Sequence, residues 1–216
     1  MNYIIDTLIT VPMVLIALMF HELAHGFVSI KLGDPTPRNQ GRMTLNPLAH
    51  LDLVGTLLMI FTGFGWAKPV QINPRYYKDP KKGMAITAIA GPLMNFFLAI
   101  IAMLLYGIYF IIVSKTGLME GAMMSVSYLV MRFVTLNLCF MVFNFIPIPP
   151  LDGSRVLCIF LSNRAYFKVQ EYERYSFLIL ILLSATGTFD RLIGTGVGVI
   201  FNGMLRGLQT LVMMVI

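Results

Sequence analysis

The sequence predicts an all-α polytopic membrane protein, a helical bundle with a re-entrant segment and a short β hairpin or edge strand at its cytoplasmic side. Of its 216 residues, 57% are hydrophobic and only 12% are charged, which is about half the usual charged fraction. The mean hydropathy is +0.79, and several apolar runs reach the length of about 20 residues that a membrane helix needs. This composition excludes an ordinary soluble globule, which could not cover itself with polar surface.

Three long apolar runs predict membrane-spanning helices. The first covers residues 3–30 and lacks the basic start and small-residue cleavage site of a signal peptide. The other two cover residues 84–113 and 121–145 and are separated by a short polar break. Two long runs joined in this way indicate a transmembrane hairpin.

The C-terminal part leaves the number of crossings at four or five. Residues 175–188 are short for a span, and residues 192–216 are long enough but contain Arg206. We expect one membrane-embedded domain over residues 1–216, with a core at about 3–153 and C-terminal helices at about 154–216.

The loop between the first two long runs indicates the orientation in the membrane. Residues 31–83 contain eight Lys and Arg against three Asp, a local charge of +5, and an excess of cations marks cytoplasmic loops. Within this loop, the apolar run 53–64 is too short to cross and predicts a re-entrant or interfacial segment. Residues 64–72 alternate loosely between apolar and polar residues and are bounded by Gly and Pro, which favours the edge strand or hairpin. The net charge of +6 is explained by this loop, so no nucleic-acid partner is expected.

A candidate metal site lies near the end of the first helix, in His21-Glu22-Leu23-Ala24-His25. Positions i and i+4 share a helix face, so the two imidazoles can bind one Zn²⁺ while Glu22 reaches a metal-bound water. The alternative is a chance match on a helix with two interfacial histidines. Ionisable groups near an apolar core are costly and are usually functional, which favours the metal site.

The third ligand has to come from elsewhere, because catalytic zinc usually has three protein ligands. Asp152 is the candidate, since it follows a proline-rich turn that ends the third long helix. Counting crossings from the basic loop brings Asp152 to the same side as His21 and His25. The alternative for Asp152 is an ordinary turn aspartate.

Two motifs together resemble the site-2 protease family of intramembrane zinc metalloproteases. HELAH at residues 21–25 matches HExxH, and NFIPIPPLDG at residues 144–153 matches NxxPxxxxDG. Supporting matches are NPLAH at 46–50, GWAKPV at 65–70, and Gly91-Pro92 with Asn95. The chain resembles a small form of this family without a PDZ or nucleotide-binding regulatory domain.

This resemblance implies a ligand set and roles for the site residues. His21, His25 and Asp152 would be the ligands of one zinc ion per chain. Glu22 would be the catalytic base, and Asn144 would be a polar partner in the active site.

The expected function is that of an intramembrane zinc metalloendopeptidase. Zinc-bound water would attack a peptide bond within or near a transmembrane helix, with Glu22 as general base. The substrate helix must unwind locally, and residues 66–72 could bind it by strand addition. The alternative for this segment is a surface turn that anchors Trp66 in the interface.

The expected partners are a transmembrane-helix substrate and the lipid bilayer. We expect a multi-pass protein of a bacterial or archaeal plasma membrane with its active site toward the cytoplasm. The substrate identity and the oligomeric state stay open, and His50 is either an oxyanion donor or structural.

Two other functional classes compete with the hydrolase. One is a non-proteolytic zinc-binding scaffold that binds other transmembrane helices, but a structural zinc site usually has four ligands and no open position. The other is a transporter or channel, which would favour ionisable groups spread along a path. Here His21, Glu22, His25 and Asp152 are expected at one depth, which favours the hydrolase.

Overall fold

The computed structural model of the chain describes residues 3–62, 68–162, 165 and 175–215. The helices in these residues are α1 (Tyr3–Lys31), α2 (Thr36–Asn39), α3 (Leu53–Thr62), α4 (Pro80–Thr116), α5 (Met123–Phe145), α6 (Asp152–Leu157), α7 (Ser176–Ala185) and α8 (Thr188–Met213). Short 3₁₀ turns lie at Pro47–His50, Pro74–Tyr76, Glu120–Ala122 and Cys158–Phe160. The described part of the chain is therefore helical, as the composition predicts.

Within the described residues, three helical segments are long and apolar enough to cross a membrane: Ile5–Lys31, Pro80–Thr116 and Glu120–Phe145. They coincide with the three long apolar runs, so these predicted spans are confirmed. The C-terminal helix α8 is not among them. The count of four or five crossings and the single domain over residues 1–216 stay predictions.

The predicted re-entrant segment forms the ten-residue helix α3. It begins after Asp52, whose side chain accepts a hydrogen bond of 2.8 Å from the N–H of Gly55 and so satisfies a free donor of the first turn. Its re-entrant placement stays a prediction. The predicted β hairpin is not confirmed: residues 63–67 lie outside the described residues, and residues 68–72 contain no strand.

The described chain divides into two compact units. The first comprises Met1–Met94 and Asn144–Leu178, and it contains every residue of the predicted site. The second comprises Asn95–Phe143 and Ile179–Ile216.

The second unit combines an apolar core with one buried amide pair. Its core consists of Ala99, Met103, Val134, Leu138, Val197 and Leu208. Asn95 and Asn137 are both fully buried, and the Asn95 Nδ2 donates to the Asn137 Oδ1 at 3.0 Å. A polar side chain in an apolar helix needs such a partner, so this pair helps to fix how α4 and α5 face each other within this unit.

In the first unit, Asp34 holds the loop that follows α1. Its carboxylate is fully buried and accepts hydrogen bonds from the Ser29 hydroxyl at 2.7 Å, the Asn73 N–H at 2.7 Å and the Thr36 N–H at 2.9 Å. Burial by itself raises the pKa of Asp34, but these hydrogen bonds outweigh it and bring the pKa below its usual 3.8. Asp34 therefore connects the end of α1 to the segment before α4.

We expect Asp34 to make the fold acid-sensitive. A carboxyl with a lowered pKa in the folded state stabilises the protein at every pH above its unfolded pKa of 3.8, and this stabilisation is lost as the pH falls further toward the folded pKa. Thermal unfolding of the wild type and Asp34→Asn in detergent should thus differ by a constant amount at pH 5–7 and converge below about pH 4. Asp190→Asn changes an exposed carboxylate and serves as the control. A difference between wild type and Asp34→Asn that grew on acidification would contradict the expectation.

Candidate metal centre

Helix α1 brings His21 and His25 together. They are one turn apart, so they project from the same helix face. Their Nε2 atoms are 3.0 Å apart, and the rings meet edge to face with centroids 4.6 Å apart. Both side chains are buried, at 5% and 8% exposure.

Asp152 completes a cluster with the two histidines. It is the first residue of α6, and its Oδ2 lies 3.2 Å from the Nε2 of His21 and 3.2 Å from the Nε2 of His25. The ligand atoms of the three residues all lie within 4.8 Å of one another. The structure therefore brings together the three residues that the sequence predicts as ligands.

The turn before α6 depends on Gly153. A Cβ atom at this position would lie 2.3 Å from the carbonyl oxygen of Phe145 and 2.7 Å from that of Ile146. Both are backbone atoms at the end of α5, so only a shift of the backbone could relieve the overlap. The chain therefore passes close to the end of α5 only because glycine follows Asp152, and this close approach holds Asp152 against α1.

A hydrogen bond fixes the orientation of the His25 ring. Its Nδ1 lies 2.7 Å from the carbonyl oxygen of Thr87, and because a carbonyl only accepts, Nδ1 carries the proton. In the neutral ring, Nε2 is then the lone-pair nitrogen, and it is the atom that faces Asp152. Metal-ligating histidines usually have such a partner for their second nitrogen.

The three residues fit a zinc ion. The Oδ2 of Asp152 is buried and receives no well-aligned hydrogen bond, and it meets a nitrogen lone pair of His25. Electron pairs concentrated in this way repel each other unless a cation lies between them. The distances of 3.0 to 3.2 Å between these ligand atoms are close to the distance of about 3.3 Å expected between two nitrogen ligands of a tetrahedral zinc ion.

The electrostatics of Asp152 agree with a metal ligand. Burial alone would raise the pKa of its carboxyl, but the imidazoles of His21 and His25, when protonated, outweigh burial through their hydrogen bonds and positive charge and hold the pKa well below its usual range. The group is thus ionised at neutral pH, as a ligand must be.

Helix α4 passes directly behind the histidines at Gly91. A Cβ atom there would lie 2.4 Å from the Nε2 of His25 and 2.6 Å from the Nε2 of His21. Only glycine leaves room for both rings. The next residue, Pro92, has no N–H, so it leaves the carbonyl of Ala88 without its usual helical donor.

A cavity of about 240 Å³ opens at the cluster. Its lining includes the three clustered residues, Glu22, Pro69, Val70, Ile72, Ala88, Asn144, Pro150 and Arg155. The Oε2 of Glu22 accepts a hydrogen bond of 2.7 Å from the N–H of Val70. This bond orients the carboxylate and ties it to the segment before α4.

The remaining site candidates separate into two groups. Asn144 is half-buried at the end of α5 and lines the cavity. His50 does not line it: the ring is 2% exposed, and its Nε2 donates to the carbonyl of Thr44 at 3.0 Å. Trp66 lies outside the described residues.

Sequence analysis missed Arg155, which also lines the cavity. It is the third residue after Asp152, and on a helix such residues share a face. The helical turn after the prolines was the signal that could have found it. Arg155 provides a positive charge in a cavity that otherwise contains the carboxylates of Glu22 and Asp152.

Comparison with known proteins decides the family. The sequence profile of peptidase family M50 matches residues 9–185, which is most of the chain. This chain belongs to peptidase family M50, the site-2 protease family. The resemblance drawn from the two sequence motifs is thereby confirmed.

Relatives of this M50 chain carry zinc-protease names. It is 37% identical over 192 residues to the "Putative zinc metalloprotease YwhC" of Bacillus subtilis, covering 86% of this chain and 81% of that protein. It is 28% identical over 184 residues to the "Putative zinc metalloprotease Rip2" of Mycolicibacterium smegmatis, and 24% identical over 183 residues to that of Mycobacterium tuberculosis. Each of these matches covers 82% of this chain and 66% of the relative. No solved structure shows a significant match.

The family and these names support a zinc metalloprotease. Together with the three apolar helices, they also indicate a membrane protein. The cluster of His21, His25 and Asp152 is a group that could hold such a metal ion.

We expect Gly91→Ala to impair the metal centre. The added methyl would overlap both imidazoles, so the rings must turn away from Asp152. Zinc content of the purified protein, measured by mass spectrometry, should fall well below that of the wild type. Gly198→Ala is the matched control, because Gly198 also lies in a helix but its added Cβ would have no heavy atom within 4 Å. A Gly91→Ala protein with full zinc content would contradict the close packing of α4 on the ligands.

Proposed function

We propose that this M50 protein is an intramembrane zinc metalloprotease that cleaves peptide bonds within or near transmembrane helices of membrane-protein substrates. The observation that carries the proposal is the convergence of His21, His25 and Asp152 at a cavity that Glu22 also lines. In this proposal, the three residues hold one zinc ion per chain. A purely structural site would have no need of an adjacent carboxylate or an open cavity.

The depth of the site supports intramembrane action. His21 and His25 lie within Ile5–Lys31, one of the three segments able to cross a membrane. The basic loop that follows α1 favours a position near the cytoplasmic face, in a multi-pass protein of a bacterial or archaeal plasma membrane. A substrate helix in the same bilayer would reach such a site by lateral movement.

The residues around the cavity can perform peptide hydrolysis. A bound zinc ion supplies Lewis-acid polarisation of the peptide carbonyl and lowers the pKa of water. Glu22 accepts the proton of the attacking water as the carbon–oxygen bond forms. It then returns a proton to the amine as the carbon–nitrogen bond breaks. Asn144 lines the same cavity, where its side-chain amide would hydrogen-bond the substrate near these atoms.

The segment 68–72 is the proposed docking strand for the unwound substrate. Pro69, Val70 and Ile72 line the cavity, so a peptide lying along them would run past the cluster. Added as an extended strand, the substrate would replace its lost helical hydrogen bonds with new backbone ones. This role requires no regular strand in the free protein.

The scaffold is the second candidate function. A non-proteolytic protein that binds transmembrane helices could keep the same zinc ligands for stability. The carboxylate of Glu22, held in the cavity by the Val70 N–H, favours the protease, because a scaffold gains nothing from an oriented base.

Two substitutions separate metal binding from catalysis. In detergent, the wild type should contain about one zinc per chain. Glu22→Gln should keep that zinc and lower cleavage about 10²- to 10⁴-fold, because only the base is lost. Asp152→Ala should lose zinc and cleavage together. Zinc is measured by mass spectrometry, and cleavage is measured with a quenched fluorogenic single-span peptide that has a Gly-Pro pair in its apolar segment.

Glu120→Gln is the control, since Glu120 is an exposed carboxylate in a turn of the second unit. It should match the wild type in both measurements. Zinc in Asp152→Ala at the wild-type level would overturn the ligand set. Cleavage by Glu22→Gln at the wild-type rate would overturn the role of the base, and a zinc-bound wild type that cleaves none of a panel of such peptides would favour the scaffold.

Ile72→Pro tests the docking strand. Proline removes a backbone N–H that an added strand would need, so cleavage should fall while zinc content stays unchanged. Ile72→Ala is the matched control for loss of the side chain. The same change at Val70 is less informative, because the Val70 N–H also holds Glu22. Equal cleavage by Ile72→Pro and Ile72→Ala would exclude strand addition at this residue.

A further inference from the structure

A buried hydrogen-bond chain runs from the ligand His25 to the carboxylate of Asp34. The Nδ1 of His25 meets the backbone carbonyl of Thr87 at 2.7 Å, and the hydroxyl of Thr87 lies 3.2 Å from that of Tyr77. The Tyr77 hydroxyl lies 2.7 Å from that of Ser29, which donates to Asp34 at 2.7 Å. All five side chains are at most 8% exposed.

The hydroxyl protons of this chain have only one consistent order. A hydroxyl has a single hydrogen. Ser29 uses its hydrogen on the carboxylate of Asp34, so Tyr77 must donate to Ser29. Thr87 must then donate to Tyr77. Every hydroxyl therefore points toward Asp34, which means that the ionised carboxylate fixes the whole order.

Asp34 also holds the segment that orients Glu22. Its Oδ2 accepts the N–H of Asn73 at 2.7 Å, three residues after Val70. The N–H of Val70 donates to Glu22. The Asp34 carboxylate thus hydrogen-bonds both to Ser29, which leads to His25, and to the N–H of Asn73, which holds the segment that contains Val70. Asp34 lies nine residues after His25 in the sequence and does not line the cavity.

We propose that Asp34 is a positioning residue of the metal centre, which fixes His25 through Ser29, Tyr77 and Thr87 and fixes Glu22 through the segment that contains Asn73 and Val70. This inference rests on the proposed function, because it takes His25 as a zinc ligand and Glu22 as the base. It adds four side chains that the two sequence motifs do not include: Ser29, Asp34, Tyr77 and Thr87.

The chain of hydrogen bonds between Asp34 and His25 indicates that Asp34 does more than hold the loop after α1 in place. The N–H groups of Thr36 and Asn73 already suffice to hold the loop on Asp34. Beyond the bond from Ser29 to Asp34, the two hydroxyls of Tyr77 and Thr87 lead away from the loop, and Thr87 is the residue that receives the Nδ1 proton of His25. Buried polar groups that are fully satisfied rigidify their surroundings, and outer partners of ligand histidines tune metal affinity.

Two variants break the arrangement at different points. Tyr77→Phe removes one hydroxyl and interrupts the chain, but it keeps the ring and leaves the Asn73 N–H on Asp34. Asp34→Asn affects both branches, because its NH₂ group must face either the Thr36 N–H or the donors of Ser29 and Asn73. Asp79→Ala is the control for stability: the Asp79 side chain caps the start of α4 through the N–H groups of Lys81 and Lys82 and makes no hydrogen bond to Ser29, Asp34, Tyr77 or Thr87.

Metal affinity is the first measurement, made by competition with a fluorescent zinc chelator in detergent. Asp34→Asn should bind zinc about 10-fold more weakly than the wild type, and Tyr77→Phe about threefold more weakly. Replacing zinc with Co²⁺ should give a visible absorption spectrum that is altered in both variants, since the His25 ring is less well oriented. Asp79→Ala should be less heat-stable but should keep the affinity and the spectrum of the wild type.

Cleavage at saturating zinc separates the two branches. With the fluorogenic single-span peptide, Asp34→Asn should stay slower than the wild type even when fully loaded, because the segment that holds Glu22 has lost its anchor. Tyr77→Phe should recover the wild-type rate once loaded, because its Asn73 anchor is intact. Asp34→Glu, which keeps the charge, should recover part of the zinc affinity.

Different experimental outcomes would overturn the positioning role of Asp34 and the proposed function. If the wild type binds zinc and cleaves, but Tyr77→Phe and every folded Asp34 variant keep its affinity and Co²⁺ spectrum, Asp34 is only structural and the inference is overturned. The inference is likewise overturned if the loss of affinity in Tyr77→Phe equals that in Asp79→Ala. A wild type that binds no zinc overturns the proposed function itself. If Asp34→Asn does not fold, Tyr77→Phe alone decides the branch to His25.

Discussion

The close approach of two imidazole nitrogens and a carboxylate oxygen is the constraint on which the first unit depends. Three electron-rich atoms 3.0 to 3.2 Å apart repel each other unless a proton or a metal ion lies between them, so the surroundings have to hold them in place. Helical spacing supplies the pair on α1, the proline turn with Gly153 supplies Asp152, and Gly91 lets α4 close behind them. Helices α1 and α6 carry the three side chains and α4 packs behind the two histidines, and the cluster forms only when all three helices are in position.

In a protein with so little polar surface, a buried polar side chain needs a hydrogen-bonding partner, and both units provide such partners. Asn95 is fully buried and pairs with Asn137, while Asp34 collects donors from a hydroxyl and two backbone N–H groups. Unpaired polar groups are costly in an apolar environment. Two of these contacts, from Asn95 to Asn137 and from Asn73 to Asp34, join positions 42 and 39 residues apart, so they help a chain with few charged residues to specify one arrangement.

Much of the site could be predicted because its signals are local. The HExxH spacing and the prolines before Asp152 predict the three residues that the structure brings together, and the length of the apolar runs predicts α1, α4 and α5. The chain from His25 to Asp34 could not be predicted, because Ser29 meets Tyr77 across 48 positions and only tertiary packing makes them neighbours. The role of Gly91 depends on the path of α4, and the bond from Val70 to Glu22 on the course of a segment without regular structure.

The packing of α4 against the histidines determines how the centre can be approached. Because the backbone at Gly91 leaves no space for even a methyl group, the metal position is closed from behind. Among the described residues, the cavity on the other side of the cluster is bordered by the 68–72 segment and by Asn144 and Pro150. If the protein acts as proposed, water and peptide would approach the metal through this cavity, and the selectivity of metal-binding inhibitors would depend on the residues that border it.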